Sequence, residues 1–323
     1  MTTTTGTTRR RKGPDIGRLL SDNGALGGLL LLVVTLSLLT PTFLTAQNLL
    51  NVGVQAAVVA VLAFGQTFVI VSAGVDLSVG SVAALSGIVA AYTAAETGLP
   101  GWLALIAGLG VGALAGLING VLVSYGRLPA FIATLAMLSV ARGLTLVVSQ
   151  GAPKVTPDEV TFLGSTIGDF LPVPLLVMLG VLALTSFILN RTYPGRTMYA
   201  IGGNEEAAML SGIDVRKNKL IIYALSGLFA GIAGILLAGR LGSAGPQAAV
   251  GYELDAIAAV VIGGASLSGG VGRASGAFVG ALVLAVLRNG LNLVQVSPFW
   301  QQVVIGVVIA VAVLVDTLRR RSR

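Results

Sequence analysis

The feature that most constrains this chain is a succession of apolar runs, most of them long enough to cross a lipid bilayer and separated by polar or glycine-rich links. They lie at about 25–45, 49–73, 78–95, 102–124, 129–149, 171–190, 219–240, 253–271, 275–294 and 299–317. A transmembrane helix takes about 20 residues, so ten spans use about 200 and leave only tails and loops. Period-2 alternation in ~10-residue blocks, the mark of a membrane β-barrel, is missing. Composition agrees: of 323 residues, 55% are hydrophobic and 10% charged, with a mean hydropathy of +0.92. So few charges cannot cover a soluble globule with this much apolar surface. The expected fold is all-α, a polytopic transmembrane bundle of about ten spans. One transmembrane domain covers 25–317, with basic tails at 1–24 and 318–323.

Charge placement orients the bundle. Arg9, Arg10, Arg11, Lys12 and Arg18 precede the first run, and Arg319, Arg320, Arg321 and Arg323 end the chain. The 190–219 loop adds Arg191, Arg196, Arg216, Lys217 and Lys219. The positive-inside rule puts both termini and this loop in the cytoplasm. Segment 150–170, with one lysine against Asp158, Glu159 and Asp169, falls outside. Arg240 dissents from the pattern, and Arg142 and Arg288 lie within or near helix ends. Flanked by apolar spans, the basic runs read as membrane anchors rather than a nucleic-acid footprint.

Two absences narrow the chemistry. The chain has no cysteine and no histidine, which excludes disulfides, thiolate nucleophiles, imidazole bases and the usual zinc or haem ligands. Ser266 and Ser268, in a glycine-rich run, lack the imidazole that ordinarily activates a serine. None of the lysines, Lys12, Lys154, Lys217 and Lys219, follows a glycine, so there is no phosphate-binding Gly-Lys loop. If ATP powers this protein, another subunit hydrolyses it, and no cofactor is expected on this chain.

Glycines recur at helical spacing in three rows: Gly108, Gly112 and Gly116; Gly227, Gly231 and Gly234; Gly272, Gly276 and Gly280. Such rows let neighbouring backbones approach closely. In the long basic loop, Asn204 is placed to cap a short helix whose first turn holds Glu205 and Glu206, with Ala207, Ala208, Met209 and Leu210 following. Gly212 is placed to end it in a left-handed turn. A helix of about two turns does not persist alone, so it needs a docking partner.

Glu206-Ala207-Ala208 followed by Gly212 resembles the EAA-type loop of ATP-binding-cassette permeases. Three further stretches narrow the likeness: Gly74-Val-Asp76-Leu-Ser78-Val-Gly80-Ser81, the run from Gly251-Tyr252-Glu253-Leu254-Asp255 to Gly270, and Asn289-Gly290-Leu-Asn292-Leu. Together they resemble the ribose-type sugar permeases of bacterial importers, from about residue 40 to 316. The resemblance implies a permease paired with a second copy or close homologue. It also implies a cytoplasmic ATPase that binds ATP and Mg and grips the 204–212 helix, and an external sugar-binding protein.

Residues that line a passage are less sharply marked. Asp76 is expected in a tight cytoplasmic-edge turn, capping the next helix near Ser78, or else as a sugar-binding carboxylate at a broken helix. Glu253 and Asp255 suit the start of the eighth span. Gln66, Asn119 and Asn289 either cross-link helices or meet sugar hydroxyls. Competing classes are an ion-coupled secondary transporter or channel, and a same-family permease for a nucleoside or branched-chain amino acid. The first wants carboxylates deep within spans, whereas the acids here cluster at span ends.

Overall fold

The computed structural model of the chain describes residues 24–168 and 170–321. The basic tail expected over 1–24 therefore lies outside the described residues except for Gly24, as does Asp169. Every apolar run contains a helix: α1 (Gly24–Leu39), α2 (Ala46–Val71), α3 (Val79–Thr97), α4 (Gly101–Ser124) and α5 (Ala130–Ser149). A polar segment follows with β1 (Lys154–Val155), α6 (Asp158–Leu163), β2 (Thr166–Ile167) and β3 (Leu171–Pro172). Then come α7 (Val173–Arg191), α8 (Tyr193–Gly203), α9 (Glu205–Leu210), α10 (Val215–Leu241) and β4 (Ser243–Ala244). The chain closes with α11 (Tyr252–Ile262), α12 (Ala274–Leu293) and α13 (Pro298–Arg321).

Among the described residues, seven helices are long and apolar enough to cross a membrane: α2, α3, α4, α5, α7, α10 and α12. Helix α1, with 16 residues, is shorter than these seven. Helix α13 runs to Arg321, into the basic tail expected from residue 318. One expectation needs correction. The expected span at 253–271 is helical for only 11 residues. After Ile262 the chain turns through Gly263 and Gly264, the latter at φ 89°, and again at Gly269 and Gly270, at φ 86° and 73°. This stretch is apolar by hydropathy, but glycine is a poor helix former and readily takes the left-handed turns used here.

Helix α10 is the axis of the bundle, packed against α4, α3 and α2. The first two glycine rows explain the closest of these contacts. A Cβ on Gly112 would stand 2.6 Å from the Gly227 carbonyl oxygen and 2.9 Å from Gly231 Cα. Gly116 meets the Tyr223 carbonyl and Gly227 in the same way, so the two backbones touch. In the third row, Gly276 and Gly280 face Gly263 and Ala259 of α11, whereas Gly272 precedes the helix.

The bundle has two distinct ends. At one, β1 pairs with β4 and β2 with β3 in two-residue antiparallel ladders around α6. At the other sit α8 and α9. Helix α10 joins them: its 27 residues span about 40 Å at 1.5 Å per residue.

Candidate functional site

The short helix of the basic loop is α9. Asn204 Oδ1 accepts from the Ala207 N–H at 2.9 Å, and Glu205 and Glu206 occupy the first turn. Gly212 closes the helix at φ 84°, with Ile213 N–H donating to the Ala208 carbonyl at 3.1 Å. Ala208 is buried against Ile201, Val215 and Ile213, which gives the helix its inner face. Its outer face is bare: Met209 and Leu210 are 59% and 81% exposed, and Glu206 is exposed beside them. Glu205 pairs with Lys219 of α10 at 2.8 Å.

The sequence did not announce α8, which carries α9 and docks it on the bundle. Thr197 Oγ1 donates to Asn218 Oδ1 at 2.6 Å, and the Tyr199 hydroxyl donates to the Gly272 carbonyl at 2.8 Å. Gly202 lies directly on the Val71 carbonyl and the Gly270 N–H, which bond each other at 2.8 Å. A close backbone contact thus joins α8, and α9 after it, to the end of α2 and to the 263–273 link before α12.

Just beyond Val71 the chain folds back into the bundle, and here three of the candidate residues meet. Asp76 is buried; its Oδ1 accepts from the Ser78 N–H (2.9 Å) and hydroxyl (2.6 Å), and its Oδ2 from the Ser226 hydroxyl (2.9 Å). Gln66 holds the Asp76 backbone from both sides, accepting from its N–H at 3.1 Å and donating to its carbonyl at 3.2 Å. Asn119 Nδ2 donates to Ser78 Oγ at 2.9 Å. The turn is thereby tied to α2, α4 and α10. It launches α3 part-way along the bundle: Gly234 of α10 lies against Ala83, and Gly87 against Gly234, so α3 begins beside the middle of α10.

A second interrupted helix starts against the first. After β4 the chain dips between helices, where Arg142 Nη1 donates to the carbonyls of Pro246 (2.7 Å) and Ala248 (3.0 Å). It turns at Ala249 and Gly251, both with positive φ, and α11 begins. Glu253 stands in the first turn of α11. A Cβ on Gly80 would overlap Glu253 Oε2 and stand 2.6 Å from the Ala249 carbonyl. The first turns of α3 and α11 therefore meet at one carboxylate, which suits the positive end of a helix dipole. A parallel in the sequence marks both starts: Gly74-Val-Asp76-Leu-Ser78 and Gly251-Tyr252-Glu253-Leu-Asp255.

Asp255 does not cap α11. Its side chain is 4% exposed and pairs with Arg288 of α12 at 2.5 Å. The pair borders a cavity of about 260 Å³ between α2, α10, α11 and α12, where Gln55, Arg240, Tyr252 and Asn292 supply further polar groups. Asn289, one residue from Arg288, is not among the residues lining it. It exchanges hydrogen bonds with Asn48 of α2 at 3.0 and 2.9 Å and cross-links two helices. The six passage candidates are thus divided: Gln66, Asp76 and Asn119 at one turn, Glu253 beside it, Asp255 at the cavity, Asn289 in a helix clasp. The cavity's other polar residues were missed, although an arginine inside an apolar run, as Arg288 is, carries a functional signal by its cost alone.

Comparison with known proteins agrees with this architecture. Residues 48–313 match the family described as "Branched-chain amino acid transport system / permease component". The ribose import permease protein of Escherichia coli (strain K12) is 47% identical over 306 residues, covering 93% of this chain and 95% of that one. The ribose import permease protein of Bacillus subtilis (strain 168) is 47% identical over 308 residues, 93% of each. The L-arabinose transport system permease protein of Escherichia coli (strain K12) is 37% identical over 321 residues, 99% of this chain and 98% of that one. The chain belongs to the family of membrane permease components that includes the ribose import permeases.

Proposed function

We propose that the chain is the membrane-spanning permease subunit of an ATP-binding-cassette importer. It translocates a monosaccharide, a ribose-like pentose or a hexose, delivered by an external binding protein. The observation that carries this reading is identity along nearly the whole length to relatives named for ribose, D-allose and L-arabinose transport. The family description names branched-chain amino acids instead. The sugar-named relatives are similar over 85% or more of the chain, which favours sugar.

Basic side chains support the orientation. Arg127, Arg191, Arg196, Arg216, Lys217, Lys219 and Arg273 gather toward the α8–α9 end, against Lys154 and Arg240 at the other. By the positive-inside rule the lever end is cytoplasmic. Helices α1 and α13, with α11 and its re-entrant approach, complete ten crossings and leave both termini inside. A second copy or a close homologue stands beside this one.

The partner ATPase, holding ATP and Mg, takes the bare face of α9 formed by Glu206, Met209 and Leu210. ATP-driven closure moves α9, and α8 passes the displacement to Val71 and to the link around Gly270. Those points precede α3 and follow α11. Helices α3 and α11 shift together, and access to the passage alternates between the two faces.

The test is Leu210→Asp and, separately, Glu206→Lys, in the permease co-expressed with its ATPase. Membrane insertion should be unchanged, while ATPase co-purification and sugar uptake fall at least tenfold. Normal ATPase association with full uptake in both variants would refute the assignment.

A further inference from the structure

We infer that the cavity between α2, α10, α11 and α12 is a transit site for a single neutral sugar ring, contacted by Asp255, Arg288, Tyr252, Gln55 and Asn292; this rests on the monosaccharide reading above. Its volume, about 260 Å³, is just below the roughly 300–1,000 Å³ of sites for drug-sized ligands, and it suits one small polar solute. The wall is costly for a membrane bundle. Removing two charges from water is expensive, and well-packed apolar residues often serve stability as well as a buried ion pair does. Asp255 and Arg288 nonetheless face each other at the edge of an open volume rather than inside a packed seam. An intramembrane ionisable pair in that setting marks a solute path by default.

The chemistry fits a polyol. A carboxylate accepts from hydroxyl groups, a guanidinium donates to hydroxyl oxygens, and the amides of Gln55 and Asn292 do both. The Tyr252 ring, with the Arg288 guanidinium 5.7 Å from its centroid, offers an apolar face to the C–H side of a sugar. A neutral solute enters without upsetting the Asp255–Arg288 balance.

The position fits a relay. Gln55 lies nine residues into α2, about 14 Å from its start, and Arg240 lies 25 residues along α10, about 37 Å from the lever end. The site therefore occupies the half of the bundle remote from α9. Tyr252 and Asp255 belong to the first turn of α11, the helix that meets α3 at Glu253. Any shift of that start reshapes the cavity wall and couples occupancy to the lever.

The natural sequence contains no cysteine, so single reporters need no prior engineering. Gln55→Cys and Asn292→Cys permeases are assembled with their ATPase and binding protein in proteoliposomes and exposed externally to a small impermeant methanethiosulfonate. Labelling should cut ribose uptake at least tenfold, and excess ribose, but not leucine, should slow labelling at least threefold. Ala285→Phe, which fills the cavity, should lower uptake at least tenfold while binding-protein-stimulated ATPase activity stays within twofold. Labelled cysteine variants that still transport ribose at the unlabelled rate overturn the transit site and leave the sugar reading standing. A wild-type assembly that accumulates leucine but neither ribose, allose nor arabinose overturns the sugar reading itself.

Discussion

Gly202 and Gly203 are neighbours at the end of α8, yet the structure treats them oppositely. A Cβ on Gly202 would overlap the Val71 carbonyl oxygen and stand 2.6 Å from the Gly270 nitrogen, both backbone atoms that cannot rotate away. A Cβ on Gly203 meets nothing within 4 Å. Ordinary contact needs about 3.5 Å, so Gly202→Ala must push α8 from the bundle by roughly 1 Å or more. Overpacking of this kind costs about 1–3 kcal/mol. The displacement also strains the Tyr199–Gly272 hydrogen bond, 2.8 Å in the native arrangement, for about 1 kcal/mol more. A total of about 2–4 kcal/mol is comparable with the 1–3 kcal/mol typical of coupling between sites. ATP-driven uptake by Gly202→Ala should therefore fall at least tenfold, with the ATPase still bound but no longer coupled to transport. Gly203→Ala should transport normally and gain slightly in stability, since alanine favours a helix. Uptake and ATPase rates in proteoliposomes measure both. Equal behaviour of the two variants would refute the junction as the route of force.

Other outcomes follow from single contacts. Gly112→Ala should destabilise the detergent-solubilised protein by about 1–3 kcal/mol, whereas Gly110→Ala, with open space around it, should be neutral or stabilising; thermal midpoints compare them. Asn289→Leu should cost about 1–3 kcal/mol by orphaning part of Asn48, and the Asn48→Leu/Asn289→Leu double variant should cost less than the sum of the singles. Asn204→Ala removes the α9 cap, worth about 1 kcal/mol, and hydrogen exchange at the Ala207 amide should quicken roughly fivefold.

Much of the bundle was legible because membrane helices announce themselves by length and hydropathy. The glycine rows were legible for a related reason: only a residue without a side chain lets α4 and α10 touch along Gly112, Gly116, Gly227 and Gly231. The short helix α9 could be read from Asn204, Glu205, Glu206 and Gly212 because capping is local chemistry. What could not be read is set by distance along the chain. Asp255 finds Arg288 across 33 positions and Asn48 finds Asn289 across 241, and no local pattern fixes such partners. Hydropathy also counts the glycine-rich 263–271 stretch as span, although its backbone turns repeatedly. The clue that went unread is the likeness of the turns at Gly74–Ser78 and Gly251–Asp255, which open the two interrupted helices.

The most direct measurement is ribose accumulation against a gradient in sealed proteoliposomes, with three compositions compared: the permease alone, the permease with its ATPase and binding protein, and that assembly carrying Leu210→Asp. Accumulation should occur only in the second. Concentrative uptake by the isolated permease, or undiminished uptake by the Leu210→Asp assembly, would contradict a passage worked from outside through α9.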